Sequence, residues 1–177
     1  GADFYVETQP DNIAWFLNVR GADVDFNPIP HSFLIAEQSG PVSWFVDQRK
    51  FGPSVADSLP EQVAVRPQGD FLDFIRTRIG AGQRVLADPG FSPVAVRLIL
   101  QESKAKVLHE TSFLTRAKAE KNATELEGMR ACHLQDGVAV TEFCAWLAAA
   151  VPAQAVTASS GQWPATTRIL PTWTSSP

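Results

Sequence analysis

An α/β layer sandwich, a mixed sheet flanked by helices and followed by one long helix, is the fold class this sequence predicts. Three observations carry it. Residues 60–110 read strand, helix, strand, helix, strand, the alternation that builds parallel pairs. Residues 31–47 hold two runs rich in aromatic and β-branched residues, "HSFLIAE" and "PVSWFVD". Gln38, Ser39 and Gly40 separate them, so they read as an antiparallel hairpin at the sheet edge. Residues 124–150 then carry apolar side chains at helical spacing.

In chain order, "DFYVE" (3–7) reads as a short strand. "QPDN" follows as a turn, with Asp11 or Asn12 capping a short helix, "NIAWFLN". After the hairpin, "EQVAVRP" is a strand. "GDFLDFIRTRIG" is a helix with Leu72, Ile75 and Ile79 on one side and Arg76 and Arg78 on the other. "QRVLADP" is a strand stopped by Pro89 and Gly90. "SPVAVRLILQES" is a helix with Ser92 as cap, Pro93 at its first position, and Val94, Leu98 and Ile99 facing inward. "AKVLHE" closes the series as a strand.

The character then changes. "SFLTRAKAEKNATELEGMRACHLQDGVAVTEFCAWLAAAV" is one short helical piece and one long one, with Thr124 to Glu127 as a capping box. Leu126, Met129, His133, Val140, Phe143 and Leu147 recur at spacings of three, four or seven, a stripe that requires a partner surface. Gly137 costs about 1 kcal/mol relative to Ala inside a helix, which suggests close approach of another backbone. Residues 152–177 have no acidic residue, a single Arg168, and many Ser, Thr, Ala and Pro, the composition of a disordered segment.

Composition excludes several functions. A net charge of −4 gives no reason to expect nucleic acid or an anionic membrane as partner. No apolar run approaches the roughly 20 residues that span a bilayer. The opening "GADFYVE" has no initiating Met and no signal-peptide core, which reads as the start of a fragment. Cys132 and Cys144 are too few for a disulfide framework, so a reducing cytoplasm fits. His31, His109 and His133 fall in different elements, and no His-Glu-x-x-His occurs. His133 and Asp136 share a helix face, which a solvated pair explains. There is no Gly-x-Ser-x-Gly elbow. Gly80 and Gly82 follow a helix and precede a strand, the wrong order for a phosphate loop. Either cysteine reads as a small buried helix residue and not a nucleophile.

"DNIAWFLNVRGADVDFNPIPHSFLIAE", "FVDQRKF" and "RAKAEKNATELEGMRACHLQDGVAVTEFCAWL" resemble, in that order, the Xaa-Pro aminopeptidase (aminopeptidase P) family in its long three-domain form. The match runs from about residue 3 to 150, and "KN-x-TE-x-EGMR-x-x-H-x-x-DG" is its most specific stretch. The resemblance implies a creatinase/prolidase N-terminal-type sandwich over residues 1–110, the second of two such non-catalytic domains. It assigns 111–151 to the linker and opening helix of a truncated pita-bread catalytic domain, and leaves 152–177 as an aberrant tail. In the intact enzyme it implies two divalent metal ions (Mn or Zn), held by two Asp, two Glu and one His, acting on peptides with proline second. Those ligand segments match nothing in this sequence, so the chain alone is expected to hold no metal or cofactor and to be inactive.

Two groups of residues are interface candidates. In related creatinase-type enzymes the N-terminal domain caps an active-site mouth, which makes Trp15 and Arg20 candidates for contact with substrate or a neighbouring subunit. The alternative is that Arg20 pairs with Asp23 or Asp25 and orders its loop; Ile13, Ala14, Phe16 and Leu17 read as core. On the long helix, Leu126, Met129, Val140, Phe143 and Leu147 form a face suited to a homodimer or self-association. A free-standing, non-catalytic binding or regulatory module is the other function class. A relative acting on other substrates, such as prolidase or creatinase, is disfavoured by "NVRGADVDFNP".

Overall fold

Side chains alternate between the two faces of a strand, and in this chain both faces are apolar. Phe4, Val6, Ile35, Phe45, Val85 and Ala87 point to one side, where they form a single buried cluster. Tyr5, Leu34, Trp44 and Val46 point to the other and belong to a second cluster. A sheet marked on both faces requires helices on both faces, and it has them. The computed structural model describes residues 1–50 and 52–150; the expected disorder of 152–177 lies outside the described residues.

Six strands form the sheet: β1 (Phe4–Glu7), β2 (Ser32–Glu37), β3 (Val42–Val46), β4 (Val63–Pro67), β5 (Arg84–Ala87) and β6 (Lys106–Leu108). Their spatial order is β4-β3-β2-β1-β5-β6. The β1–β2 and β2–β3 pairs are antiparallel, whereas β3–β4, β1–β5 and β5–β6 are parallel. The hairpin is therefore interior and not at the edge, because β4 adds outside β3 and β1 outside β2. Its sequence carries that marking: Phe33, Leu34 and Ile35, like Trp44, Phe45 and Val46, are consecutive apolar residues, the pattern of strands covered on both faces.

Helices α3 (Phe71–Arg78) and α4 (Val94–Glu102) cover the first face through Phe71, Ile75, Ile79, Val96, Ile99 and Leu100. Phe45 is fully buried there, edge-on to Phe71 and Phe74 with centroids 5.4 and 5.2 Å away. Phe71 replaces Leu72 as the first inward residue of α3, and Leu72 is only partly buried. On α4 the expected inward residues Val94 and Leu98 are exposed, at 59% and 51%. "VAVRLIL" is apolar on two sides, and the sheet takes the Val96, Ile99, Leu100 side. Ser92 does not cap this helix by a side-chain bond; Pro93 occupies the N-cap position.

The second face is covered by α1 (Pro10–Phe16) and α5 (Phe113–Ala119), with a short α2 (Pro53–Ser58) added to the expected elements. Ile13 and Ala14 of α1 and the following Leu17 are buried, whereas Phe16 is 43% exposed because it falls off that stripe. Neither Asp11 nor Asn12 caps α1; Gln9 holds the N-cap position without a side-chain bond. Residues 1–120 make one compact unit, so α5, expected in the linker, packs with the sheet.

The second unit starts at Lys121, and its described part is α6 (Ala123–Ala150). Its capping box lies two residues ahead of the expected Thr124–Glu127 pair. The Asn122 Oδ1 accepts from Glu125 N and the Glu125 carboxylate accepts from Asn122 N, both at 2.9 Å. The chemistry is the expected one, shifted to the residue that directly precedes the helix. Among the described residues, nothing beyond the helix's own neighbouring backbone lies within 4 Å of a Cβ placed on Gly137.

Phe45→Ala removes an aromatic ring from a fully buried site and is expected to cost about 3–5 kcal/mol in denaturant unfolding, as large-to-small changes of Phe do. At the end of β3, Arg49 forks onto Asp47 with contacts of 2.7 and 2.9 Å. That contact, with the Arg49 amide, holds the Asp47 carboxyl down at about 2. Because the folded value lies below the ordinary value of about 3.9, the contact is intact above that range and is lost as pH falls through about 2. The Asp47 side-chain carbonyl should titrate near that value by NMR, and Arg49→Met should return it to the usual carboxylate range.

Candidate functional site

The chain leaves α1 through Leu17 and Asn18, the latter in the left-handed region at φ 52°. Asn tolerates that conformation because its short polar side chain bonds locally. The turn leads through the buried Val19 to Arg20 and Gly21. Gly21 fits only as glycine, since a Cβ there would stand 2.6 Å from the Pro30 backbone nitrogen. The neck of the loop is thereby closed, and residues 21–30 form a built projection. Within it Asn27 N donates to Val24 O at 3.1 Å, and Phe26, also left-handed at φ 62°, is fully exposed.

Arg20 does not pair with Asp23 or Asp25. Its Nη1 donates to the carbonyls of Val19 and Ala14, at 2.9 and 3.4 Å. Asp23 is taken instead by Lys50 Nζ and by the His31 amide, each at 2.6 Å. The Lys50 ammonium, more than the His31 amide, holds the Asp23 carboxyl below its ordinary range. The loop is thus ordered by Lys50, a residue the sequence gives no local reason to choose. The Arg20 guanidinium stays at the surface, with no carboxylate in ion-pair range among the described residues. Trp15 is half-buried against the second core cluster, so it serves packing at least in part.

The remaining candidates lie on α6. Leu126, Met129, Val140 and Phe143 are exposed and Leu147 is half-buried. At 100° per residue these five fall within one side of the helix. Leu134 and Val138, also exposed, fall on the opposite side, so the apolar surface extends beyond the expected stripe. Cys132 and Cys144 are exposed and not buried, which removes the reading of both as small core residues.

Sequence reading missed a buried polar centre beneath α1. Glu7, at the end of β1, is 2% exposed, and its carboxylate accepts from Tyr5, Ser112, Asn12 and two backbone amides. Burial, and then the Glu7 carboxylate, hold the Tyr5 hydroxyl protonated far above its usual range. The only sequence signal was a charged residue closing an otherwise apolar strand, "FYVE". Partners at residues 112 and 115 are too distant in sequence to be read from it.

Among the described residues, no group of three or more His, Cys, Asp or Glu stands close enough to hold a metal ion. The described residues therefore do not fit a dinuclear centre. No described helix is long and apolar enough to cross a membrane.

Known proteins resemble this chain over most of its length. Xaa-Pro aminopeptidase 1 of Dictyostelium discoideum is 33% identical over 146 residues, covering 82% of this chain and 23% of that protein. A probable Xaa-Pro aminopeptidase P of Coccidioides posadasii is 37% identical over 146 residues, covering 77% and 23%. The chain thus spans about a quarter of the length of these curated relatives. Among solved structures, the X-prolyl aminopeptidase of Caenorhabditis elegans, described as a cytosolic enzyme with a di-nuclear active site, superposes with a TM-score of 0.74. It is 30% identical, over 86% of this chain and 25% of that one. The prolidase of Pyrococcus furiosus, at 13% identity and a TM-score of 0.51 over 71% of this chain and 34% of that one, shares the fold alone. The Creatinase/Prolidase N-terminal domain family matches residues 1–125, and the chain belongs to it.

Proposed function

We propose that this chain is a non-catalytic part of a metal-dependent Xaa-Pro aminopeptidase, which in its intact form releases the N-terminal residue ahead of proline. The observation that carries this reading is the likeness to the Caenorhabditis elegans enzyme, which extends over most of the chain at 30% identity. Residues 1–110 correspond to the second non-catalytic domain, and 111–151 to the linker and opening helix of the catalytic domain. Two divalent ions, Mn or Zn, belong to the intact enzyme and are held by segments outside this sequence. A cytosolic setting accords with the description of that neighbour. Trp15 and Arg20 are the residues of this domain that would face substrate or a neighbouring subunit. Arg20 suits the second role better, since carbonyl contacts orient its fork while leaving its charge uncompensated.

The exposed apolar side chains of α6 support self-association. Each such side chain is worth about 1.5–3 kcal/mol when fully buried, and monomers rarely leave several contiguous ones in water. A homodimer or larger assembly through Leu126, Met129, Val140, Phe143 and Leu147 is the expected outcome.

Two measurements check these readings separately. Purified chain incubated with manganese or zinc should not turn over a peptide with proline second, and chelator-sensitive turnover would contradict the assignment. Light scattering at tens of micromolar should show association that Phe143→Asp reduces. A strictly monomeric chain, unchanged by that substitution, would refute the helix interface.

A further inference from the structure

α5 is held to the sheet differently from the other helices. α4 buries three aliphatic side chains, Val96, Ile99 and Leu100, whereas α5 buries one, Leu114. A helix of 7 residues has no stability of its own. Beside Leu114, most of the contacts that hold it are polar. Ser112, directly ahead of α5 and 1% exposed, donates its amide to Asp88 Oδ2 at 2.9 Å and its hydroxyl to Glu7 Oε2 at 2.6 Å. Thr115 accepts from Asn12 Nδ2 at 3.0 Å, and Lys118 pairs with Asp11 at the surface. Phe113 adds a tilted ring contact to Tyr5, with centroids 4.5 Å apart, but stays half in water.

The Glu7 carboxylate divides its work between its two oxygens. Oε1 accepts from the amides of Thr8 and Gln9, both at 2.9 Å, which fixes the turn into α1. Oε2 gathers Tyr5 Oη, Ser112 Oγ and Asn12 Nδ2, at 2.5, 2.6 and 3.0 Å. Among the described residues no Lys, Arg or His is paired with it. Neutral donors alone therefore satisfy this buried carboxyl group, and Ser112 is the only one of them outside β1, α1 and the turn between them. Removing that donor leaves a buried acceptor undersupplied, a larger penalty than the bond itself is worth.

We infer that the Glu7–Ser112 contact is a latch, and that residues 111–119 are a strap which opens as a unit of its own while the sheet stays folded. Proteins open in such cooperative pieces, and the pieces that open first bury few apolar contacts. The strap joins the sheet unit to the chain that continues into α6. Its docking rests on one buried aliphatic side chain, Leu114, and on a carboxylate, which makes that exit path releasable. Glu7 is then a positioning residue for the exit of the chain from the domain.

Residue-resolved hydrogen exchange on the full chain tests this. Glu7→Gln keeps the Oε1 acceptor for Thr8 and Gln9 and places an amide donor against the three donors that met Oε2. Amides of residues 113–119 should exchange at least tenfold faster, while those of β2, β3 and α4 keep their rates. Ser112→Ala, which substitutes no residue of β1 but removes the hydroxyl that meets Glu7 and Tyr5, should reproduce the pattern if Glu7→Gln fails to fold. A uniform rise across the sheet unit would overturn the latch and make Glu7 an ordinary core group. Unchanged rates at 113–119 in both variants would overturn it equally.

Discussion

Double-sided burial of β1, β2 and β3 is the constraint on which the rest of this structure depends. Ile35, Phe45 and Val6 press one way, Leu34, Trp44 and Tyr5 the other, and neither set can meet water without large loss. Helices are consequently needed on both faces, and the order of the sheet follows. The β3–β2–β1 centre is antiparallel, and the parallel additions β4 on one side and β5 and β6 on the other carry the crossover helices. The crossover from β4 to β5 passes the three central strands, which lays α3 over Phe45 and completes the first face.

Polar residues in this frame sit where the chain must enter or leave it. Glu7 ends β1 and organises the turn into α1, Asp88 follows β5, and both converge on Ser112 at the exit. Arg49 and Asp47 lock the turn after β3, and Lys50 reaches back to Asp23 to hold the loop that presents Arg20 and Phe26. Apolar packing therefore sets the architecture, while these few charged contacts fix the directions of the connecting segments.

Much of this was legible in the sequence, for reasons visible in particular residues. The six strands and α3, α4 and α6 announce themselves through period and punctuation, as Pro93 before α4 and the two hairpin strands with their consecutive apolar residues show. Phase was less legible. "VAVRLIL" offers two apolar sides, and only the sheet decides between them, so Val94 and Leu98 end in water. Strand neighbours were illegible for the same reason: periodicity marks a strand as covered on both faces without naming what flanks it. The Glu7 centre and the Lys50–Asp23 pair join residues 105 and 27 positions apart, separations that no local pattern reports. Membership in the Creatinase/Prolidase N-terminal domain family came through motifs spread along the chain, which survive such ambiguities.

On the proposed function, this domain shapes and presents, while the chemistry of an intact enzyme lies in other segments. Equilibrium dialysis of the chain against manganese is the most direct test of that reading. The account predicts no saturable site, with retained metal rising only in proportion to the free ion. One or two equivalents bound at saturation would contradict it, because they would place a metal centre within these residues.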